Sequence, residues 1–351
     1  MTSVASGSVR IVSSGIDSGT TVQFGGRLSA TSGGTVSGAT IATGGVEVVF
    51  AGALDAGASI FGTQNVAGGT VVNSLVDSGG KQRVSSGGHV SATVISFGSE
   101  TVFGGGVATG AFVYDTQILD GGTSISGTVD LGGTLTVLAG GIASAVTIVE
   151  GTETILVGGA DISGVVSDTQ FVSGGSTSGV TIDGGGYQEI DSGGTASATT
   201  VLFGSQTILA GGHVYGAAIY DTQVISGGAA SGTIIDSGGY QEVDSGGVAS
   251  ATSVPDGSVV VSNGGALVDA TIGVFGDIDM LGGSASGMTL VSGGTFEVES
   301  GATATGTIIV SGTETVLSGG LDLSATIGDT QLVAGGVARG ATITSGAEQD
   351  V

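Results

Sequence analysis

The 351-residue sequence has no cysteine and no tryptophan, a single proline, Pro255, and five basic residues: Arg10, Arg27, Lys81, Arg83 and Arg339. Without cysteine there can be no disulfide and no thiolate metal site, although this assigns no compartment, since exported chains also lack it. A single proline excludes collagen, which needs proline in abundance and a glycine at every third position. The 30 acidic residues give a formal charge of −25. Such a surface repels nucleic acid and anionic membranes. Gly, Ser, Thr or Asp interrupts each apolar run long before the ~18 residues that a spanning helix requires. The opening MTSVASGSVRIVSSG has no basic stretch followed by an apolar one, so no cleavable signal peptide is expected.

Glycine, by contrast, supplies 74 residues, about one in five against the usual ~7%. It comes in pairs. Gly185–Gly194 reads GGYQEIDSGG, Gly238–Gly247 reads GGYQEVDSGG, and Gly79–Gly88 is a looser copy, GGKQRVSSGG. Within such a run Gln241 and Val243 share one face of a strand, and Tyr240, Glu242 and Asp244 share the other. The glycine pairs read as turns. With 40% apolar residues and a mean hydropathy of +0.49, the chain is too apolar to be disordered.

The apolar residue that follows each Gln-like position recurs from Ile11 through Val66, Val84, Val102 and onward to Val351, in steps of 17, 18 or 19 residues. So regular a period predicts stacked units. A second strand is expected in each, marked by pairs such as Thr93/Ile95, Val146/Ile148, Val180/Ile182 and Thr199/Val201. Each unit then reads strand, glycine corner, strand, corner. The expected fold is all-β: a parallel β-solenoid (β-helix) of about 18 residues per coil and about 19 coils, running as one array through residues 1–351. A left-handed hexapeptide helix ranks second, because Ile95 to Val102 is a step of seven and not six. Asp-Thr-Gln at Asp115, Asp168 and Asp221, and Gly98, Gly151, Gly204 and Gly257, add a three-coil super-repeat of 53 residues. Residues 255–283 are the most diverged. No polar capping unit is evident at either end, as expected of part of a longer exported protein.

The Gln position is filled by Gln64, Gln82, Gln117, Gln170, Gln188, Gln206, Gln223, Gln241 and Gln331, and elsewhere by Leu135, Val259, Ile278 and Phe296. Apolar substitutes predict that this column points inward, where stacked amides can bond along the axis. Glu47, Glu100, Glu153 and Glu314 share the column and are expected near a corner that water reaches, because a buried carboxylate is costly. A row of sugar-binding amides is the alternative. The outward side carries Lys81 and Arg83, then Tyr187, Glu189, Tyr240 and Glu242. Opposite charges with aromatics suit contact between two copies, and drifting solvated surface is the plainer reading. Calcium could be held by Asp183, Glu189 and Asp191 within one coil; solvated turn acids are the competing reading. His89 and His213 lie seven coils apart and cannot form one site. The acids repeat without converging and no Ser, His and Asp set stands out, so no enzyme is expected.

The unit SGGxQxVxSGGxAxxTxI resembles the strand–loop–strand repeats of bacterial autotransporter passenger domains of the diffuse-adherence and self-associating adhesin type, over essentially the whole chain and best at 183–201 and 236–254. The resemblance implies a non-enzymatic extracellular or cell-surface β-helix that mediates adhesion or self-association, as in cell aggregation and biofilm. Its partners would be like molecules, surface glycans or a host surface. It also implies O-glycosylation of repeat serines, here Ser85, Ser192 and Ser245. The signal peptide and membrane barrel of that family have no counterpart in this sequence. A structural filament or surface-layer subunit joined through open ends is the second expectation, and a polysaccharide-active β-helix enzyme the third.

Overall fold

The computed structural model describes residues 2–351, and every regular element among them is a β-strand. The chain is a parallel β-solenoid of about 19 coils. Its residues form two compact units, Met1–Thr177 and Ser178–Val351. Each unit is a stack of coils paired in parallel with the coil before and the coil after.

One coil shows the construction. Lys81–Val84 is followed by His89–Ser91 and then Val94–Ile95. Val84 pairs with Val66 and Val102, Val90 with Val71 and Ala108, and Ile95 with Val76 and Val113. All nine of these residues are buried. A strand alternates its side chains between faces, so each coil directs one set of apolar residues inward. Stacking then gives each inward Val or Ile its partners, worth roughly 1.5–3 kcal/mol per side chain.

Each coil thus has three strands where the sequence predicts two. The second predicted strand is broken by one residue in the left-handed conformation. Ala92, Ala145, Ala198 and Ala251 take this role at φ of 51–52°. No glycine pair marks this corner, which is why the sequence conceals it. The glycine pairs make the corner after the first strand and the corner before it. At Gly238 φ is 87°. A Cβ on Gly239 would lie 2.1 Å from the carbonyl oxygen of Ile219, one coil away. The first glycine of a pair supplies the turn and the second admits the neighbouring backbone.

Two further points differ from the sequence reading. In the first coil the inward residue is Val12, 6% exposed, and Ile11 is 65% exposed, because Val12 is the residue that pairs with Ala30. In the diverged region the corner before the first strand is lost. Ser253–Val261 and Thr271–Met280 run through it as the longest strands, with a register shift between Val254 and Asp256. The 53-residue super-repeat has a structural role: the Asp221 carboxylate accepts from the Gly204 N–H at 2.8 Å, and Asp329 does the same for Gly312. At these two copies the aspartate of Asp-Thr-Gln satisfies the corner of the preceding coil.

Candidate functional site: an interior polar column and an exposed strand face

The inward column of the first strand is the most ordered chemical feature of the molecule. All nine glutamines named above are buried. The amides bond along the axis, and where the next coil also carries a glutamine the chain of bonds continues. Gln82 Nε2 donates to Gln64 Oε1 at 2.7 Å, and in the second unit Gln206, Gln223 and Gln241 each donate to the preceding glutamine at 2.6–2.7 Å. Ser74 and Thr93, inward residues of neighbouring corners, complete the bonds of Gln82 at 2.9 and 3.2 Å. A buried amide left without partners costs about 1–3 kcal/mol per group, so the column needs this continuity.

The four glutamates do not reach water. Glu47, Glu100, Glu153 and Glu314 are as buried as the glutamines, because they occupy the same inward register position and no corner intervenes. Three of them face an aspartate that the sequence reading did not single out. Asp55, Asp161 and Asp322 are inward residues of the second strand and are also buried. The glutamine of the following coil joins each pair. Gln64 Nε2 donates to Glu47 Oε2 at 2.9 Å and to Asp55 Oδ2 at 2.6 Å. Gln170 does so for Glu153 and Asp161 at 2.7 and 2.9 Å, and Gln331 for Glu314 and Asp322 at 2.6 and 2.9 Å. The signal was available: each aspartate lies between apolar neighbours, eight residues after a column glutamate and nine before a column glutamine.

Burial, and next the Asp55 carboxylate, holds Glu47 well above the usual carboxylate range. Burial followed by Asp161 does the same to Glu153. Burial with Asp322 pushes Glu314 up to about 8, and burial alone pushes Glu100 up to about 7. Burial also raises Asp55 to about 6 and Asp161 to about 7. The exception is Asp17. Burial pushes it up, but hydrogen bonds from Arg10 and Thr20 outweigh burial and leave it lowered. Arg10 Nε bonds Asp17 Oδ2 at 2.5 Å.

The exposed side is simpler. Lys81 and Arg83 are exposed on the outward face of Lys81–Val84. In the other unit Tyr187 and Glu189 lie half-buried on Gly186–Ile190, with the Tyr187 hydroxyl donating to Glu189 Oε2 at 2.7 Å. Tyr240 and Glu242 hold the same positions on Gly239–Val243. Further along this face, Asp277 and Asp279 stand in register with Thr295 and Glu297. Burial and then its acidic neighbours raise Asp279.

Among the described residues no three His, Asp or Glu side chains converge to hold a metal ion, so Asp183, Glu189 and Asp191 are not gathered into a calcium site. The Asp183 carboxylate instead accepts from its neighbour's backbone, Gly184 N–H, at 2.7 Å. His89 and His213 are exposed on second strands of different units. Ser85, Ser192 and Ser245 are all exposed at corners. They are not equivalent, however. Ser192 and Ser245 abut Gly211 and Gly264 of the next coil, and the serine that so abuts Gly105 is Ser86.

No protein-family model matches this chain, and no curated protein matches it. Among solved structures it is similar to the crystal structure of a TibA fragment hyper-glycosylated by TibC. The identity is 26% over 100% of this chain and 98% of that chain, with a TM-score of 0.38. The β-solenoid stands on this chain's own parallel registers. Among the described residues no helix is long and apolar enough to cross a membrane.

Proposed function

We propose that this chain is a non-enzymatic, extracellular β-solenoid that acts by adhesion or self-association through its outward strand faces. The observation that carries the reading is the length of the connections: among the described residues none between successive strands exceeds four residues. A chain with no projecting loop presents its chemistry only on strand faces and tight corners, and such a surface suits contact with another extended surface. A catalytic cleft needs converging groups that loops or bends bring together.

A second copy is the partner of best chemical fit. Lys81 and Arg83 are adjacent exposed cations on a chain of net charge −25. Tyr187, Tyr240, Asp277 and Glu297 offer aromatic and acidic surface in another copy. Opposite charges at the edge of a contact set its register and its rate of formation. The likeness of the repeats to autotransporter passenger repeats supports the same reading, including sugar on exposed corner serines such as Ser85, Ser192 and Ser245.

Sedimentation velocity over a wide concentration range tests it. Species that grow with concentration, and grow less after Lys81→Glu with Arg83→Glu, are expected. One elongated species at all concentrations would sink the self-association reading.

A further inference from the structure

Each interior amide column has a beginning, and three of the beginnings are built alike. In the coil before Glu47 the paired residue is Leu28, before Glu153 it is Leu135, and before Glu314 it is Phe296. The column is apolar at that coil and polar after it. At the change stand a glutamate and an aspartate, and the next glutamine spends its amide on one oxygen of each. The other oxygens, Glu47 Oε1, Asp55 Oδ1, Glu153 Oε1, Asp161 Oδ1, Glu314 Oε1 and Asp322 Oδ1, are buried and have no hydrogen-bond partner.

Two ionised carboxylates in such a place would combine mutual repulsion with the loss of hydration, and effective penalties of several kcal/mol per ion follow. A metal ion is a poor occupant, because the glutamine N–H bonds already point their positive ends at both carboxyl groups. A proton resolves both problems. It turns one carboxylate of the pair into a donor, and it removes one charge.

We propose that each of these three Glu–Asp pairs is a proton-binding site, holding one proton shared by Glu47 and Asp55, by Glu153 and Asp161, and by Glu314 and Asp322. The shared proton starts the amide column, and the solenoid is stabilised by acid. Like-charged carboxyl groups that share a site cannot both ionise at ordinary pH, and the pair titrates as a unit. The groups facing each pair are few. Glu47 also faces Asp17, which carries the Arg10 guanidinium. Glu153 faces Leu135, Asp161 and Gln170, and Glu314 faces Phe296, Asp322, Gln331 and the Thr307 hydroxyl. Outside the first site none of these is a cation.

The sign of the linkage follows from the raised proton affinity of the folded state. Below the ordinary carboxylate range of about 4, folded and unfolded chains are both protonated and the full stability is present. As pH rises, the unfolded chain loses its protons first, so stability falls until the folded pairs ionise, at about 6–8 for Asp55, Asp161 and Glu314. Within that window each retained proton changes the folding constant about tenfold per pH unit, and three change it about a thousandfold.

Calorimetric unfolding of the full chain at pH 7, in buffers of different ionisation enthalpy, counts these protons directly. Release of three or more on unfolding is expected, and release of none overturns the proposal. The triple variant Glu47→Gln, Glu153→Gln, Glu314→Gln places a permanent N–H where the shared proton lies. It should fold, with the thousandfold pH dependence largely removed, and an unchanged dependence would overturn the proposal. If the triple variant does not fold, the infrared carboxylic-acid C=O band of the natural chain at pH 7 decides, and its absence overturns the proposal. A wild-type stability that follows added sodium or calcium instead of pH would assign the pairs to a metal and also overturn it.

Discussion

The same two interior positions are filled in different ways within the first unit. In the first coil they hold Arg10 and Asp17, and two coils later Glu47 and Asp55, in the same register columns. The guanidinium grips Asp17 with two bonds, at 2.5 and 3.0 Å, and keeps the aspartate ionised. Asp55 has no cation, and burial pushes it up. A third solution appears in the second unit, where Val259, Ile278 and Phe296 fill the column with apolar side chains and remain equally buried. Gln241, the last amide before that stretch, is left with an unpartnered Oε1. The coil backbone is indifferent to what fills its interior. An acceptor can be satisfied by a cation, an amide or a proton, and the three choices differ in how they respond to pH.

The largest way to break this comparison is to remove the donor that serves a carboxyl pair. Gln64→Leu leaves Glu47 and Asp55 without their shared amide and Gln82 without one of its two acceptors. A loss of about 2–5 kcal/mol is expected, read as a fall in the denaturant midpoint with an unchanged slope. Glu100→Gln works in the other direction. Glu100 already accepts from Gln117 at 2.6 Å, and an amide there can also donate back to Gln82. Because the folded Glu100 is pushed up to about 7, its contribution is intact below about 4.5 and is lost as pH rises through 7. The variant should match the natural chain at pH 4 and exceed it at pH 8 by about 1–3 kcal/mol. The smallest effect is expected at the paired site. Arg10→Ala exposes Asp17 to the fate of Asp55, but the Arg10 side chain is 40% exposed. Solvent screening limits the loss to about 1 kcal/mol. Amide hydrogen exchange should accelerate at Gly15–Ser18 and not in later coils.

Much of this was legible in the residues. Period and face alternation are local properties, so the steps of 17–19 residues and the Val/Ile positions predicted a parallel solenoid. The diverged stretch at 255–283 was legible as well, although not that its strands lengthen there. The corner made by Ala92 and its counterparts was not legible, because a left-handed alanine looks like any other alanine until the neighbouring coil fixes its backbone. The burial of the glutamates was misjudged for a related reason. Charge argues for water, but register decides direction, and Glu47 is in register with Gln64.

The sequence by itself determined the repeat, the inward and outward faces and the places where the column is polar or apolar. All of these depend on spacing along one chain. Only the tertiary structure decided which polar groups meet. Glu47, Asp55 and Gln64 belong to three strands and two coils, and stacking alone brings them within hydrogen-bonding distance. There, out of water, the chemistry of a carboxyl group is set by its partners.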